Sequence, residues 1–592
     1  MNEHARTVLT SANIQEKSQL LWNIAETIRG LYKPHEYGDI ILPFTVIKRF
    51  HDTLLPTRQA VLDELEKRKN ISMKDSFLRR ASGHVFYNTS LYTFDMLLAD
   101  SENIEVNFRD YLNGFSENVQ DVLSNFEVDT QVAKLAKNGK LFQVIQDFNA
   151  EKGYLGADKI SSTDMGYIFE DLVKRFSESY NEDAGAHFTS RDIIYLMTDI
   201  LIAEDKEILE AEGVSKTVYD QTMGTSQMLS AMQERLTLLD ADAEVITFGQ
   251  ELNPKTYAIA KADTIIRGGN PDNMHLGNTL TNDYFKGYEF DYELSNPPFG
   301  MDWKSDYKTV EDEHKKGERG RFGVGLPKKS DGQLLFMLNG VSKLKDTGRM
   351  AIIHNGSALF SGAAGSGESE IRRYVIENDW LDAIIQLPND VFYNTGISTY
   401  IWIIDKSKQP HRQGQVQLID ASNMYEKRRK SIGSKRVDIT EECRNMIVSA
   451  YGEFLNKLYK LDDKTVESKI FENLDFGFNK VTIESPLKDE VGNLVLKNKK
   501  IQPDTSLRDT EDIPLTEDVD SYFDREIKPF NPNAWIDKKK TKVAYEIPFT
   551  RLFYKYVSPE KTEDIALKIK VLEESIVRGF EQLSGQDVKI DE

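Results

Sequence analysis

Apolar positions recur along this chain with two different periods, and the change of period divides it. From residue 17 to about 60, Leu20, Leu21, Ile24, Ile28 and Leu31 return at helical spacing and Gly30 closes the pattern. A second apolar stretch, Ile40 to Leu54, carries Phe44, Ile47, Phe50 and Leu54. Further helical patterns run to about Phe148, so residues 1–150 are predicted as a mostly α-helical domain without a catalytic constellation. Past residue 185 short alternating runs interleave with helical ones.

Ala186-His187-Phe188-Thr189-Ser190-Arg191 precedes an amphipathic helix with Ile193, Met197, Ile200 and Leu201, for which Thr189 or Ser190 is the expected cap. Thr217 to Asp220 reads as a strand, followed by a loop of small residues around Gly224-Thr225-Ser226-Gln227 and a helix with Met228, Leu229, Met232 and Leu236. Glu244 to Phe248 is a second strand, ending in Gly249-Gln250-Glu251. Asn253-Pro254 opens the next helix in cap–proline order and Gly268-Gly269 closes it. Gly277-Asn278-Thr279-Leu280 stands at the expected end of a third strand, and Tyr288 to Leu294 alternates as a fourth. The alternation continues through a helix from Gly332 to Leu344, a strand at 350–353, a helix at 370–377 and strands at 381–385 and 400–404. This predicts an α/β fold: a doubly wound, Rossmann-like sheet of about seven strands over 151–410, after the helical domain.

The fourth strand ends in Asn296-Pro297-Pro298-Phe299. Two consecutive prolines cannot continue a ladder, so Asn296 is expected at a strand's C-terminal end, where open α/β sheets bind ligands. The Asn amide supplies an acceptor oxygen, the prolines stiffen the backbone that aims it, and Phe299 supplies a flat face. Such a group suits a planar ring with an exocyclic amine; an ordinary turn is the competing explanation.

Composition narrows the choices. The chain has 592 residues, 40% hydrophobic and 29% charged, and no run of about 18 apolar residues that would span a membrane. The start, Met1 to Arg6, lacks the apolar core of a signal peptide, and the single cysteine, Cys443, excludes disulfide scaffolds and Cys-based zinc sites; a reducing cytoplasm and no metal are expected. A net charge of −21 makes the chain a poor nucleic-acid binder by itself, so a DNA substrate requires a basic partner or a local basic channel. Residues 301–326, charged and glycine-rich, are expected to form a mobile flap beside Phe299. Residues 411–545 read as an extension. Within it Lys427-Arg428-Arg429-Lys430 and Lys435-Arg436 form the densest basic cluster, either a phosphate contact or a solvated loop. Residues 546–592 end in a helix whose Ile565, Ile569, Leu572, Ile576, Phe580 and Leu583 form one stripe, for its own domain or for a partner.

Taken in order, these residues resemble the modification (methyltransferase, M) subunit of type I restriction–modification systems, DNA adenine-N6 methyltransferases. The likeness rests on the cofactor loop preceding Asn296-Pro297-Pro298-Phe299, with Ile47-Lys48-Arg49-Phe50, Gly348 to Ile353, Leu387-Pro388, Val391 to Ile397 and Tyr545 to Thr550 at the matching places. The resemblance implies a class I methyltransferase fold and S-adenosylmethionine as cofactor. Ala186, His187, Phe188, Thr189, Ser190 and Arg191 would form one wall of its site. Asp220 with Gly224, Thr225, Ser226 and Gln227 would pass the methionine moiety, Glu251 would hold the ribose, and Asn278 would face the cofactor adenine. The target adenine in DNA would meet Asn296 and Phe299, aimed by Pro297 and Pro298. It also implies a specificity subunit and a second copy of this chain as partners, with a restriction subunit as the addition for cleavage. The chain departs from the family pattern at Gln221 (usually proline), at Ser226 and Gln227 (often a glycine), at Ser190 within Thr-Pro-Arg, and at Asn278 (often aspartate). Ser226 would cost about 1 kcal/mol or more only if its φ is positive. Two alternatives stand beside this reading: amine or amide methylation of RNA or protein, and a non-catalytic scaffold with a degenerate cofactor loop.

Overall fold

A computed structural model describes residues 16–69, 73–179, 189–203, 214–240, 242–489, 493–497, 500–556 and 561–584. Helices fill the described chain up to residue 148 because their apolar faces have only each other to cover them. The helix α1 (Gly38–Leu54) is buried along almost its whole length, and Phe44 stacks between Phe108 and Phe148 at 5.7 Å from each. Its Arg49 is buried and donates to the carbonyls of Leu155 and Ile160, so a cation in the core pins the segment that leaves the helical region. Each of those carbonyls would otherwise be a buried orphan costing about 1–3 kcal/mol.

After α2 (Ser162–Ser179) and α3 (Arg191–Ala203) the alternation of strands and helices begins. The strands β1 (Ser215–Asp220), β2 (Glu244–Glu251), β3 (Met274–Leu276), β4 (Phe290–Ser295), β5 (Leu344–Asn355), β6 (Leu381–Gln386) and β7 (Thr399–Asp405) lie in the order β3-β2-β1-β4-β5-β7-β6. All neighbours in this set are parallel except β7, which runs antiparallel to β5 and β6. The seven expected strands are present, but the sheet has ten. β8 (Gln415–Asp420) pairs parallel with β6, and β11 (Lys457–Leu461) and β12 (Lys464–Glu472) continue beyond it as an antiparallel pair. Those three come from the polar stretch after 410; β8 is buried on both faces, with Gln417 among Val416, Leu418 and Ile419, and of the three only β11 stands at the sheet's edge.

The helices α4 (Gln227–Leu239), α5 (Pro254–Ile266), α6 (Gln333–Lys343), α7 (Gly367–Glu377) and α8 (Glu441–Glu453) cover the sheet. At the start of α5, Asn253 accepts from the amides of Lys255 and Thr256 with Pro254 in the first turn, the expected cap–proline order. The far face of α5 belongs to the helical region: Ala258, Ile259, Ala262 and Ile265 join its core, and Lys261 pairs with Asp121 at 2.6 Å.

Between β8 and β11 a hairpin projects, β9 (Glu426–Ile432) with β10 (Lys435–Asp438). A separate four-stranded sheet, built on Gly477–Glu484 with Asp509–Pro514, Trp535–Ile536 and Lys542–Tyr545, has its own small core of Val481, Ile483, Ile513, Phe523 and Ala534. The chain from Pro548 onward is a unit of its own, dominated by α9 (Thr562–Ser584), on which Ile565, Ile569, Leu572 and Ile576 are exposed. Among the described residues no helix is long and apolar enough to cross a membrane.

The expected flap at 301–326 is instead a packed lobe. Trp303, Val310 and Phe322 are fully buried, and Arg321 ties the lobe down by donating to Glu313, to the Thr279 carbonyl and to the Asn339 amide oxygen. Its charge and glycine content masked three apolar anchors spaced too irregularly to register as an element.

Candidate active site at the C-terminal rim of the sheet

The ends of β2, β1 and β4 stand side by side, because Asp220 aligns with Gly249 and Tyr219 with Glu293. Strands in a sheet are about 4.8 Å apart, so the tips of β2 and β4 are separated by roughly 10 Å with the β1 loop between them. Asn296 follows the last residue of β4, where the two prolines turn the chain out of the ladder. Pro297 is buried and Pro298 exposed.

The Asn296 side chain is held from one side only. Its Nδ2 donates to the Thr189 hydroxyl at 2.9 Å, while its Oδ1 is buried and accepts from nothing among the described residues. A buried acceptor without a donor costs about 1–3 kcal/mol, so such an atom marks strain kept for a purpose or a missing partner. Beside it the half-buried Phe299 meets Phe392 edge-on, ring centroids 5.9 Å apart, which leaves the ring's orientation set by packing.

The loop after β1 is bound to the end of β2. Met223 N donates to the Gln250 carbonyl at 3.0 Å, and Gly224 N donates to Glu251 Oε2 at 2.9 Å. Glu251 Oε1 accepts from Asn253 N at 2.8 Å, so the carboxylate is fixed by two backbone amides and keeps acceptor sites to spare. Gly224 has φ +53° and Ser226 φ +70°, so the serine does occupy the left-handed region. Asp220 accepts from Thr222 N and is buried beneath the loop; burial pushes its carboxyl well above the usual range, and Glu251 adds to the rise. Thr225 and Gln227 line a small cleft with Arg191 and Ser230. Asn278 lies beyond β3, which pairs with the end of β2 at Glu251, and its Oδ1 accepts from Leu280 N. Ser190 provides the carbonyl for the first amides of α3, and Arg191 lies over the Tyr167 ring at 3.8 Å. Ala186, His187 and Phe188 lie outside the described residues.

Gln221, in place of proline, is completely buried and fully partnered. Its Nε2 donates to Glu293 and to the Phe336 carbonyl, its Oε1 accepts from Asn339, and its carbonyl accepts from the Thr279 hydroxyl at 2.6 Å. Sequence reasoning overlooked Glu293. A carboxyl on the buried face between Tyr292 and Leu294 was the available signal, and it pairs with the unusual Gln221. Burial pushes the Glu293 carboxyl well above the carboxylate range, and Asp220 adds to the rise. The rim also collects buried oxygens that accept nothing among the described residues: Thr222 Oγ1, Gln227 Oε1, Gln250 Oε1 and Glu293 Oε2, besides Asn296 Oδ1.

Residues 161–482 match the N-6 DNA Methylase family and residues 17–148 the HsdM N-terminal domain. The chain is 24% identical over 454 residues to the type I restriction enzyme MjaIX methylase subunit of Methanocaldococcus jannaschii, covering 73% of this chain and 76% of that one. It is 22% identical over 470 residues to the MpnII methylase subunit of Mycoplasma pneumoniae, covering 72% and 82%. The type I restriction–modification methyltransferase subunit of Streptococcus thermophilus superposes with a TM-score of 0.61 at 24% identity, over 78% of this chain and 97% of that one. With more than half its length in one family and its N-terminal region in the companion domain, the chain belongs to the N-6 DNA methylases, as a modification subunit of a type I restriction–modification system.

Proposed function

We propose that the rim of β1, β2 and β4 is where this adenine-N6 DNA methyltransferase transfers a methyl group, with Asn296 as the residue that receives the target amine. The observation that carries the reading is the orphan Asn296 Oδ1, buried and held in place through Thr189. An extruded adenine fits it: its exocyclic amine donates to Oδ1 and to the Pro297 carbonyl, and its ring lies against Phe299. Adenine's amine is a poor nucleophile because its lone pair is delocalised into the ring. Accepting both its hydrogens draws the nitrogen toward tetrahedral geometry and aims the lone pair across the rim. Positioning and fixed dipoles carry the step.

The residues present fit S-adenosylmethionine. Glu251 offers free acceptor sites to ribose hydroxyls, Gly224 to Gln227 make a close-approach loop, Asn278 stands beside them, and the orphan oxygens of Thr222, Gln227 and Gln250 await donors. When bound, that cofactor supplies an activated sulfonium methyl. Asp220 shapes the loop from beneath, and residues 189–191 close the side nearest Asn296. The exposed stripe of α9 is assigned to a specificity subunit, which adds basic surface to a chain of net charge −21; a second copy of this chain and a restriction subunit complete the assembly.

Asn296→Ala in the assembled complex tests the reading. Methyl transfer to adenine N6, followed by mapping of the modified base, is expected to fall by about 100-fold or more, while calorimetric binding of S-adenosylmethionine is kept. Full activity in that variant would remove Asn296 from the base pocket.

A further inference from the structure

The hairpin β9–β10 stands on the same rim as Asn296. β6 and β8 run parallel to each other and, through antiparallel β7, in the direction of β5 and β4, so their C-terminal ends face the same side. Between the loops that follow β6 and β8 and the hairpin lies a cavity of about 760 Å3. Its wall carries Lys427, Arg428 and Arg436, the ring of Tyr425 and the amides of Asn389 and Asn423; Asp390 is the one acid on it.

The charges there are uncompensated. Arg428 pairs with Asp438, but Lys427, Arg429, Lys430 and Arg436 are exposed and have no acidic partner among the described residues. Four such cations stand within ten residues on a chain of net charge −21.

The hairpin is also fixed relative to the base pocket. Lys435 Nζ is buried and donates to Ser190 Oγ at 3.3 Å, to Asp192 at 2.8 Å and to the Val391 carbonyl at 3.0 Å. Ser434 N donates to the Tyr393 carbonyl and Arg436 N to the Asp390 carbonyl, each at 2.8 Å. Ser190 follows Thr189, the partner of Asn296, and Phe392 between Val391 and Tyr393 is the partner of Phe299. The two segments that aim the catalytic Asn296 and Phe299 are therefore the two that anchor the hairpin.

We propose that this cavity and the exposed strand β9 at its edge bind the sugar–phosphate backbone of the target DNA strand beside the extruded adenine, with Lys427 and Arg436 of the wall and Arg429 and Lys430 of the same hairpin on phosphates and Tyr425 as a face for the neighbouring base. The proposal rests on the adenine-N6 reading above. Phosphate contact explains why the cations lack acids, polar amides suit a nucleotide more than an apolar ligand, and an aromatic face accepts any base. A rigid tie to the base pocket gives the backbone contact a mechanical use, since gripping the strand at a set distance favours the extruded state.

The test uses the complex with its specificity subunit and four alanine substitutions, Lys427→Ala, Arg429→Ala, Lys430→Ala and Arg436→Ala, together and with Arg436→Ala alone. The fourfold variant is expected to raise KM for duplex DNA about tenfold or more and to flatten the slope of log affinity against log salt by about 3.6, since each released phosphate contact contributes about 0.9. Arg436→Ala alone is expected to take away about one unit of that slope, and Arg436→Lys to restore it. Calorimetric binding of S-adenosylmethionine and the melting temperature are expected to stay as in the parent. A parent that methylates adenine, with a fourfold variant of unchanged KM and salt slope, overturns the backbone site and leaves the methyltransferase reading standing. A parent complex that methylates no adenine overturns both.

Discussion

Ser226 is the residue where a departure from the family pattern meets a backbone constraint. At φ +70° it occupies a region that costs an L-residue roughly 1–2 kcal/mol, partly offset because glycine has more unfolded freedom to lose. Ser226→Gly is therefore expected to raise stability by about 0.5–1 kcal/mol, read from the urea midpoint; a lower midpoint would show that the serine hydroxyl earns its place. Glu293 is the second such residue. Its ordinary value is 4.5, and burial lifts it in the folded state. Below 4.5 folded and unfolded chains both hold the proton and the contribution is whole; as pH rises past 4.5 the unfolded chain releases its proton first and stability is lost until the folded value is passed. Glu293→Gln removes that term, so the gap in melting temperature between variant and parent is expected to move in the variant's favour from pH 5 to pH 8. A gap independent of pH would refute a buried, protonated Glu293.

Elements carry the second scale. Asn296, Glu251 and Gln221 each follow or close a strand, where backbone geometry is set by the ladder. The helix α9 leaves its apolar stripe exposed. A 23-residue amphipathic helix draws most of its stability from a face that packs, so a stripe left in water predicts a partner. Ile569→Asp with Leu572→Asp is expected to leave the melting of the isolated chain unchanged and to abolish coelution with the specificity subunit on size exclusion. Retained coelution would move that interface elsewhere.

At the scale of the molecule, the helical region and the sheet share α5. One face of this helix covers β2 and the other completes the helical core, so movement of one region strains the other. The hairpin at 426–438 extends the active rim sideways by reaching back to α3 through Lys435 and Asp192. An acidic molecule thereby keeps a basic edge, and that edge is tied to the segments that hold Asn296 and Phe299.

The sequence alone settled what depends on local chemistry. Helical and strand periods, cap–proline starts, glycine stops and the double proline after Asn296 each act within a few residues, so the seven strands and their order along the chain were readable, as was Asn296 at a strand end. Three things waited for the tertiary structure. The added strands β8, β11 and β12 are interspersed with polar residues, buried Gln417 among them, so no apolar run betrayed them. The lobe at 301–326 is anchored by three well-separated buried residues, which no short window connects. The Gln221–Glu293–Asn339 contacts and the hold of Thr189 on the Asn296 amide join residues 72 to 118 positions apart, and Asn296 Oδ1 has no donor among the described residues. Periodicity reports which face of an element is covered; only packing decides by what, and so which polar atom remains to meet a substrate.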